Sequence, residues 1–218
     1  MSLEETRSYM NQVRRDFSDR PLTEESVDDN PFTQYAVWFE EAVNSEILDP
    51  FAMCLSTVGL NGQPSSRIVY MRDILEEGFV FYTNYLSQKG KELLSTPKAA
   101  LNLHWSELDR QIRIEGDVIK VSDETSDKYF AARPKKSQIG AWASAQSDVL
   151  TTREELEQHV LKYTARFKDI EVDRPKHWGG YVLKPTKIEF WQGRASRLHD
   201  RIVYTKEGVE WKLRRLSP

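Results

Sequence analysis

Past residue 50 the apolar residues fall in short runs, several of them alternating with polar ones at the period of two that marks half-buried strands. The runs lie at 51–58, 65–72, 78–84, 98–105, 110–121, 179–184, 187–192, 201–205 and 209–213. Asn61-Gly62 separates the first two and predicts a tight hairpin turn. Within 110–121, Gln111, Arg113 and Glu115 alternate with Ile112 and Ile114, which gives one polar and one buried face. A helical period holds at about 32–48, where Phe32, Tyr35, Phe39 and Val43 share a face. Shorter helices are predicted at 87–94 behind a Ser cap and at 122–132, where Ser122 precedes acidic residues and Pro134 forces a stop. A further helix at 152–167 opens with Thr152 and Glu155 at capping-box spacing. Residues 1–30 are polar and weakly periodic, and they read as a flexible arm or short helix leading into a single domain over 31–218. Many antiparallel strands without regular strand–helix alternation predict a mainly β fold with α, a closed or nearly closed barrel with helices packed outside.

Composition narrows the chemistry. The 218 residues carry a net charge of −3, so nothing draws the whole chain to nucleic acid or anionic lipid, and any basic site is local. The single cysteine, Cys54, excludes an intrachain disulfide and sits in an apolar run as an expected buried residue. The first residues lack the basic-then-apolar pattern of a secretion signal, and no apolar run is long enough for a membrane span. The expected location is the cytoplasm. His104, His159, His177 and His199 are scattered without metal-ligand spacing, so no metal is expected. Phosphate-loop, dinucleotide and nucleophile-elbow motifs are missing too.

Three basic clusters remain. Arg67 and Arg72 flank a strand segment, on opposite faces if the pleat is strict. Tyr82 and Thr83 end a strand, with Gln88 and Lys89 opening the next helix, a setting that suits a phosphate monoester. Tyr129 and Arg133 are four apart on one helical face, and Ser137 follows the proline stop. Each cluster also has a plain structural reading: a solvated edge strand, an ordinary helix start, a capping arginine. Gln146 and Ser147 add neutral hydrogen-bonding groups in a loop. Near the end, Trp191, Arg197, His199, Asp200 and Arg201 crowd an indole, two guanidiniums, an imidazole and a carboxylate into eleven positions. Such a set suits a planar, anionic ligand, with Asp200 as a salt-bridge partner.

Taken together, the order and spacing of these pieces resemble the pyridoxine/pyridoxamine 5′-phosphate oxidase family. The resemblance is carried by Arg67-Ile68-Val69, the tetrapeptide 81–84, Lys89, Arg110-Gln111, Tyr129-Phe130, Arg133-Pro134 and 137–141. It continues through Gln146-Ser147, Trp178-Gly179-Gly180, 189–193 and 197–201, and so covers about residue 31 to the C-terminus.

The resemblance implies an antiparallel Greek-key FMN-binding split barrel working as a homodimer, with FMN at the subunit interface. It implies oxidation of pyridoxine or pyridoxamine 5′-phosphate to pyridoxal 5′-phosphate, with O2 taking the electrons and H2O2 released. By position it places FMN contacts on Arg67, Ile68, Val69, Tyr70, Met71, Arg72, Tyr82, Thr83, Gln88, Lys89, Gln111, Gln146, Ser147, Trp191 and Arg201. Substrate contacts fall on Arg14, Phe17, Arg72, Tyr129, Arg133, Ser137, Arg197 and His199, the last two being the catalytic pair. Three positions depart from the family pattern: Arg72 stands for Lys, Gln88 for Arg, and Phe17 for Tyr. Two alternatives stay open at this point, a split-barrel flavin reductase of another substrate and a non-catalytic pyridoxal-phosphate carrier.

Overall fold

Ser2, Asn30, Ser87, Ser122 and Thr152 each turn a side-chain oxygen onto a backbone N–H two or three residues ahead, which satisfies a donor that a helix start otherwise leaves bare. In the computed structural model, which describes residues 1–13 and 15–218, these caps open α1 (Leu3–Gln12), α2 (Pro31–Asn44), α3 (Gln88–Ser95), α4 (Asp123–Ala131) and α6 (Arg153–Arg166). Between the last two lies α5 (Lys135–Ala143), which begins at Pro134. The sequence pattern predicts no helix there, because the apolar residues of α5 spread around its circumference instead of forming a stripe.

The strands are β1 (Ala52–Val58), β2 (Pro64–Tyr70), β3 (Asp73–Leu75), β4 (Gly78–Asn84), β5 (Lys98–Trp105), β6 (Arg110–Lys120), β7 (Trp178–Gln192), β8 (Asp200–Glu207) and β9 (Glu210–Arg215). They pair in the order β2-β1-β5-β6-β7-β4-β3, and β8 pairs with both β7 and β9. The mainly antiparallel sheet with six helices is the expected class. Two runs expected as separate strands, 179–184 and 187–192, are one strand. Pro185 interrupts the donor pattern, but its fixed φ is compatible with extended backbone and the strand passes through it. Along β1 the pleat buries Met53, Leu55 and Thr57 and turns Cys54 to the other face. Cys54 is therefore only half buried, not the core residue its apolar neighbours suggest.

The chain divides into two compact units. The first comprises Met1–Pro50, His104–Ile112 and Ile188–Pro218. Its core is aromatic: Trp38 meets Phe190 edge-on at 5.0 Å, and Phe190 meets Tyr204 at 5.7 Å. Buried polar ends are matched, Trp105 Nε1 donating to Pro50 O at 3.0 Å and Tyr204 OH to Asp28 O at 2.6 Å. Residues 15–22 are bonded into this unit. Arg15 pairs with Asp109, the Ser18 N–H donates to Asp109 Oδ2 at 2.8 Å, and the N–H of buried Leu22 donates to Asp200 Oδ2 at 3.1 Å. Asp200 also receives Arg194 and Arg215, the salt-bridge role read from the sequence.

The second unit comprises Phe51–Leu103 and Arg113–Lys187. Phe79, Val80, Phe81, Leu101, Leu103, Ile114, Val182 and Leu183 form its sheet core. A satellite cluster of Phe130, Ile139, Phe167, Val172 and Trp178 anchors α4 and α5.

Candidate active site

In the second unit, β2 sets Arg67 opposite Leu55 of β1, where its side chain meets Thr57, Ser65 and Glu92. Strict pleating would send Arg72 to the other face. The strand ends at Tyr70, however: Met71 N–H donates to Phe51 O and Arg72 N–H to Val80 O, each at 2.9 Å. The turn brings the Arg72 guanidinium over the rings of Tyr70 at 4.7 Å and Phe51 at 5.1 Å, and both arginines line one cavity. Arg72 even so stays with Tyr70, on the face opposite Arg67 in the β2 pleat, as the sequence predicts, and the cavity wraps the sheet edge to meet both.

From α3, Lys89 Nζ donates to Gln146 Oε1 at 3.1 Å, and Thr83 Oγ1 donates to the same oxygen at 3.2 Å. Two donors on the amide oxygen fix the Gln146 side chain with its NH2 free to face a ligand. Burial pulls the Lys89 pKa down, and Arg67 adds to this while Glu92 opposes it.

Beyond these residues Tyr82 lies parallel to Tyr129 of α4, with centroids 3.8 Å apart, and Trp178 is parallel to both. Burial, with Asp73 nearby, pushes the Tyr82 phenol up to about 12, so it stays a neutral donor. Arg133 caps the Trp178 ring at 4.5 Å, and its Nη1 is buried without a hydrogen-bond partner among the described residues. Burial lowers its pKa, as does Arg72, while Tyr129 acts against them. A buried guanidinium nitrogen with nothing to donate to is a strong demand for an anion. Arg174 holds the arrangement from behind, donating to Trp178 O at 2.7 Å, to Asp123 at 2.7 Å and to Asp127 at 2.6 Å.

A cavity of about 950 Å³ joins both ends, and Arg67, Arg72, Lys89 and Arg133 are its cations. Ile68, Val69, Tyr70, Tyr82, Thr83, Tyr129, Ser137 and Gln146 line it as well. Of the other residues expected here, Met71 is buried in the core, Gln88 donates to Glu92 and Ser147 stands apart with φ +77°. None of those three lines the cavity.

The first unit gathers a different set. The His199 ring lies 4.6 Å from that of Trp191, and Phe17 meets both edge-on, at 5.1 and 5.7 Å. The Arg194 N–H donates to His199 Nδ1 at 3.1 Å. Burial lowers the His199 pKa, and the charge of Arg197 acts the same way. Ser196 and Arg197 have φ of +56° and +62°, a left-handed conformation that non-glycine residues adopt at a cost and that recurs at functional sites. Arg201 grips buried Glu189 with two hydrogen bonds of 2.8 and 3.1 Å. Gln111 is half buried on β6. Arg14 lies outside the described residues.

Sequence reading missed Glu92, Trp178 and Arg174 as parts of the site. Glu92 did leave a signal, a carboxylate beside Leu93 on the inward face of a short helix. Among the described residues, no group of three or more His, Cys, Asp or Glu side chains is placed to hold a metal ion, and no helix is long and apolar enough to cross a membrane.

Two family profiles match the chain. Residues 39–167 match the pyridoxamine 5′-phosphate oxidase family, and residues 178–218 match the pyridoxine 5′-phosphate oxidase C-terminal dimerisation region. A curated pyridoxine/pyridoxamine 5′-phosphate oxidase from Cyanothece sp. is 51% identical, covering 94% of this chain and 97% of its own. One of the same name from Mannheimia succiniciproducens is 48% identical, covering 96% and 99%. Among solved structures, PhzG from Burkholderia lata, in complex with tetrahydrophenazine-1-carboxylic acid, is 32% identical with a TM-score of 0.86, covering 92% of this chain and 100% of its own. A pyridoxamine 5′-phosphate oxidase-related, FMN-binding protein from Nostoc punctiforme shares the fold with a TM-score of 0.69 at 16% identity, covering 88% and 100%. These likenesses bear out the split-barrel fold expected from the sequence.

Proposed function

The chain belongs to the pyridoxamine 5′-phosphate oxidase family, and from that premise we propose that it oxidises pyridoxine and pyridoxamine 5′-phosphates to pyridoxal 5′-phosphate with FMN and O2, releasing H2O2. The observation that carries this reading is that one cavity takes its cations from separate elements, Arg67 from β2 and Lys89 from α3, and Arg133 from beyond α4 with Ser137 of α5 close to it in sequence. A flavin reductase needs one phosphate grip; a substrate that is itself a phosphate monoester needs a second.

The cofactor is FMN, and the residues present suit it. Lys89 and Arg67 supply positive charge, Thr83 and Gln146 supply oriented donors, and Tyr82 supplies a flat apolar wall. FMN, when bound, supplies the two-electron acceptor and passes the electrons on to O2. Arg133, Ser137 and Tyr129 are assigned to the substrate phosphate, with Arg72 beside them. Trp191 and Arg201 are assigned to the flavin. Arg197 covers the substrate ring by cation–π stacking, and His199 hydrogen-bonds near the reacting carbon. Because its Nδ1 already accepts from Arg194, the neutral His199 ring carries its proton on Nε2 and acts as a donor.

The enzyme works as a homodimer, with the site completed at the subunit interface. A lone cysteine suits the reducing cytoplasm, where we place it. Oxygen uptake and peroxide release, measured with added FMN and each phosphorylated vitamer, test the reading. Yellow protein that makes no peroxide from either vitamer points to a reductase, and protein that takes up no FMN points to a pyridoxal-phosphate carrier.

A further inference from the structure

A carboxylate bordering a phosphate site needs a reason, because it repels the ligand. Glu92 is buried on α3, next to Arg67. Its Oε2 accepts from Thr57 Oγ1 at 2.5 Å, and Ser65 Oγ lies 2.7 and 2.9 Å from the two carboxylate oxygens. Gln88 Nε2 donates to Oε1 at 2.9 Å. The same two hydroxyls also face Arg67. Nη1 donates to Thr57 Oγ1 at 2.5 Å and to Leu55 O at 3.3 Å, while Nη2 donates to Ser65 Oγ at 2.6 Å and to Glu92 Oε2 at 3.3 Å.

An ionised carboxylate only accepts, and each hydroxyl has one proton to give. Thr57 and Ser65 must therefore direct their protons to Glu92, which turns their lone pairs to the guanidinium. Both terminal nitrogens of Arg67 are thereby held, and its Nε–H and its charge are left for the cavity. We propose that Glu92 is a positioning residue for Arg67, orienting the Thr57 and Ser65 hydroxyls so that the guanidinium meets the FMN phosphate already in place. The inference rests on the FMN reading above. Two effects of the carboxylate compete. Its negative charge weakens anion binding, while its fixing of Arg67 strengthens it. Arg67 is in contact with the carboxylate and screens it from the cavity, so fixing wins.

The test is the Kd for FMN, read by flavin fluorescence quenching on full-length protein stripped of FMN and titrated with it. Glu92→Gln keeps the shape but removes the charge and replaces one oxygen by an NH2, which meets either a hydroxyl that must donate or the NH2 of Gln88. It is expected to weaken FMN binding about tenfold, the scale of one hydrogen bond to a charged group. Ser65→Ala, a milder change at a half-buried site, is expected to weaken it less. In an Arg67→Met background, Glu92→Gln is expected to bring no further weakening and, with the unscreened charge removed, a slight tightening, since the favourable effect of the carboxylate acts through Arg67. Unchanged or tighter FMN binding by Glu92→Gln overturns the inference, because it marks the carboxylate as a bystander or a brake. Equal weakening with and without Arg67 overturns it as well, in favour of a merely structural role. Wild-type protein that takes up no FMN overturns the site reading, and this inference with it.

Discussion

The backbone N–H of Arg194 donates to Nδ1 of His199 at 3.1 Å, which is possible only while that nitrogen is unprotonated. Protonation of the ring would break this bond as well as charge a partly buried group beside Arg197. Burial, and then the charge of Arg197, hold the pKa below its ordinary 6.5. The neutral form therefore persists to lower pH than in a free histidine. The acid limb of the pH profile of kcat/KM is expected below 6.5 and should vanish in His199→Gln. An acid limb at or above that value, or one that survives in the variant, contradicts the assignment.

Arg133 gives the second prediction. Its buried Nη1 has no partner among the described residues, which is the basis for assigning it to the ligand. Arg133→Met should raise KM for the phosphorylated vitamers about 10–100-fold, the loss of one or two hydrogen bonds between charged groups. Oxidation of the unphosphorylated vitamins, which lack the group Arg133 meets, should change far less. Equal losses on both kinds of substrate would remove Arg133 from the phosphate grip.

Arg110 makes a prediction about stability alone. It is buried in the first unit, donates through Nε to Gln192 at 3.0 Å, lies 2.8 Å from Glu41 through Nη1 and stacks over Trp38 at 4.3 Å. Arg110→Ala leaves Gln192 without its donor and a cavity against Trp38, and should cost about 3–5 kcal/mol. Urea unfolding of the two proteins measures it, and a loss under about 1 kcal/mol, the worth of an exposed pair, would refute the buried-anchor role.

Glu92 links the site to acid stability. Burial alone would raise its pKa, but hydrogen bonds from Thr57, Ser65 and Gln88, with the charge of Arg67, outweigh burial and bring it from 4.5 down to about 2. A carboxyl with a depressed folded-state pKa stabilises the fold above its unfolded value, and that stabilisation is lost as pH falls through the folded one. The stability gap between wild type and Glu92→Gln should be full above 4.5 and shrink as the pH drops toward 2. A gap that stays constant across that window would show that Glu92 is not ionised in the fold.

Much of the architecture is local and so was legible in the chain itself. The caps at Ser87, Ser122 and Thr152 act on N–H groups three residues ahead, and the alternation at 111–115 is a property of one strand. The family, too, could be read from short motifs in order. The α5 helix escaped because its burial comes from neighbours distant in sequence, with Ile139 packed against Phe130 and Phe167 in the same cluster.

Sequence by itself determined which side chains are available: four cations, an indole, and an imidazole close to an arginine. Tertiary structure alone decided how they are used. The place of β2 at the sheet edge put Arg67 and Arg72 on one cavity, because a cavity at an edge can be lined from both faces of the strand. Glu92 reached Arg67 across 25 positions through two hydroxyls that no periodicity connects. The proton of His199 was settled by a backbone N–H, a donor that every residue but proline carries and that only the folded chain can aim.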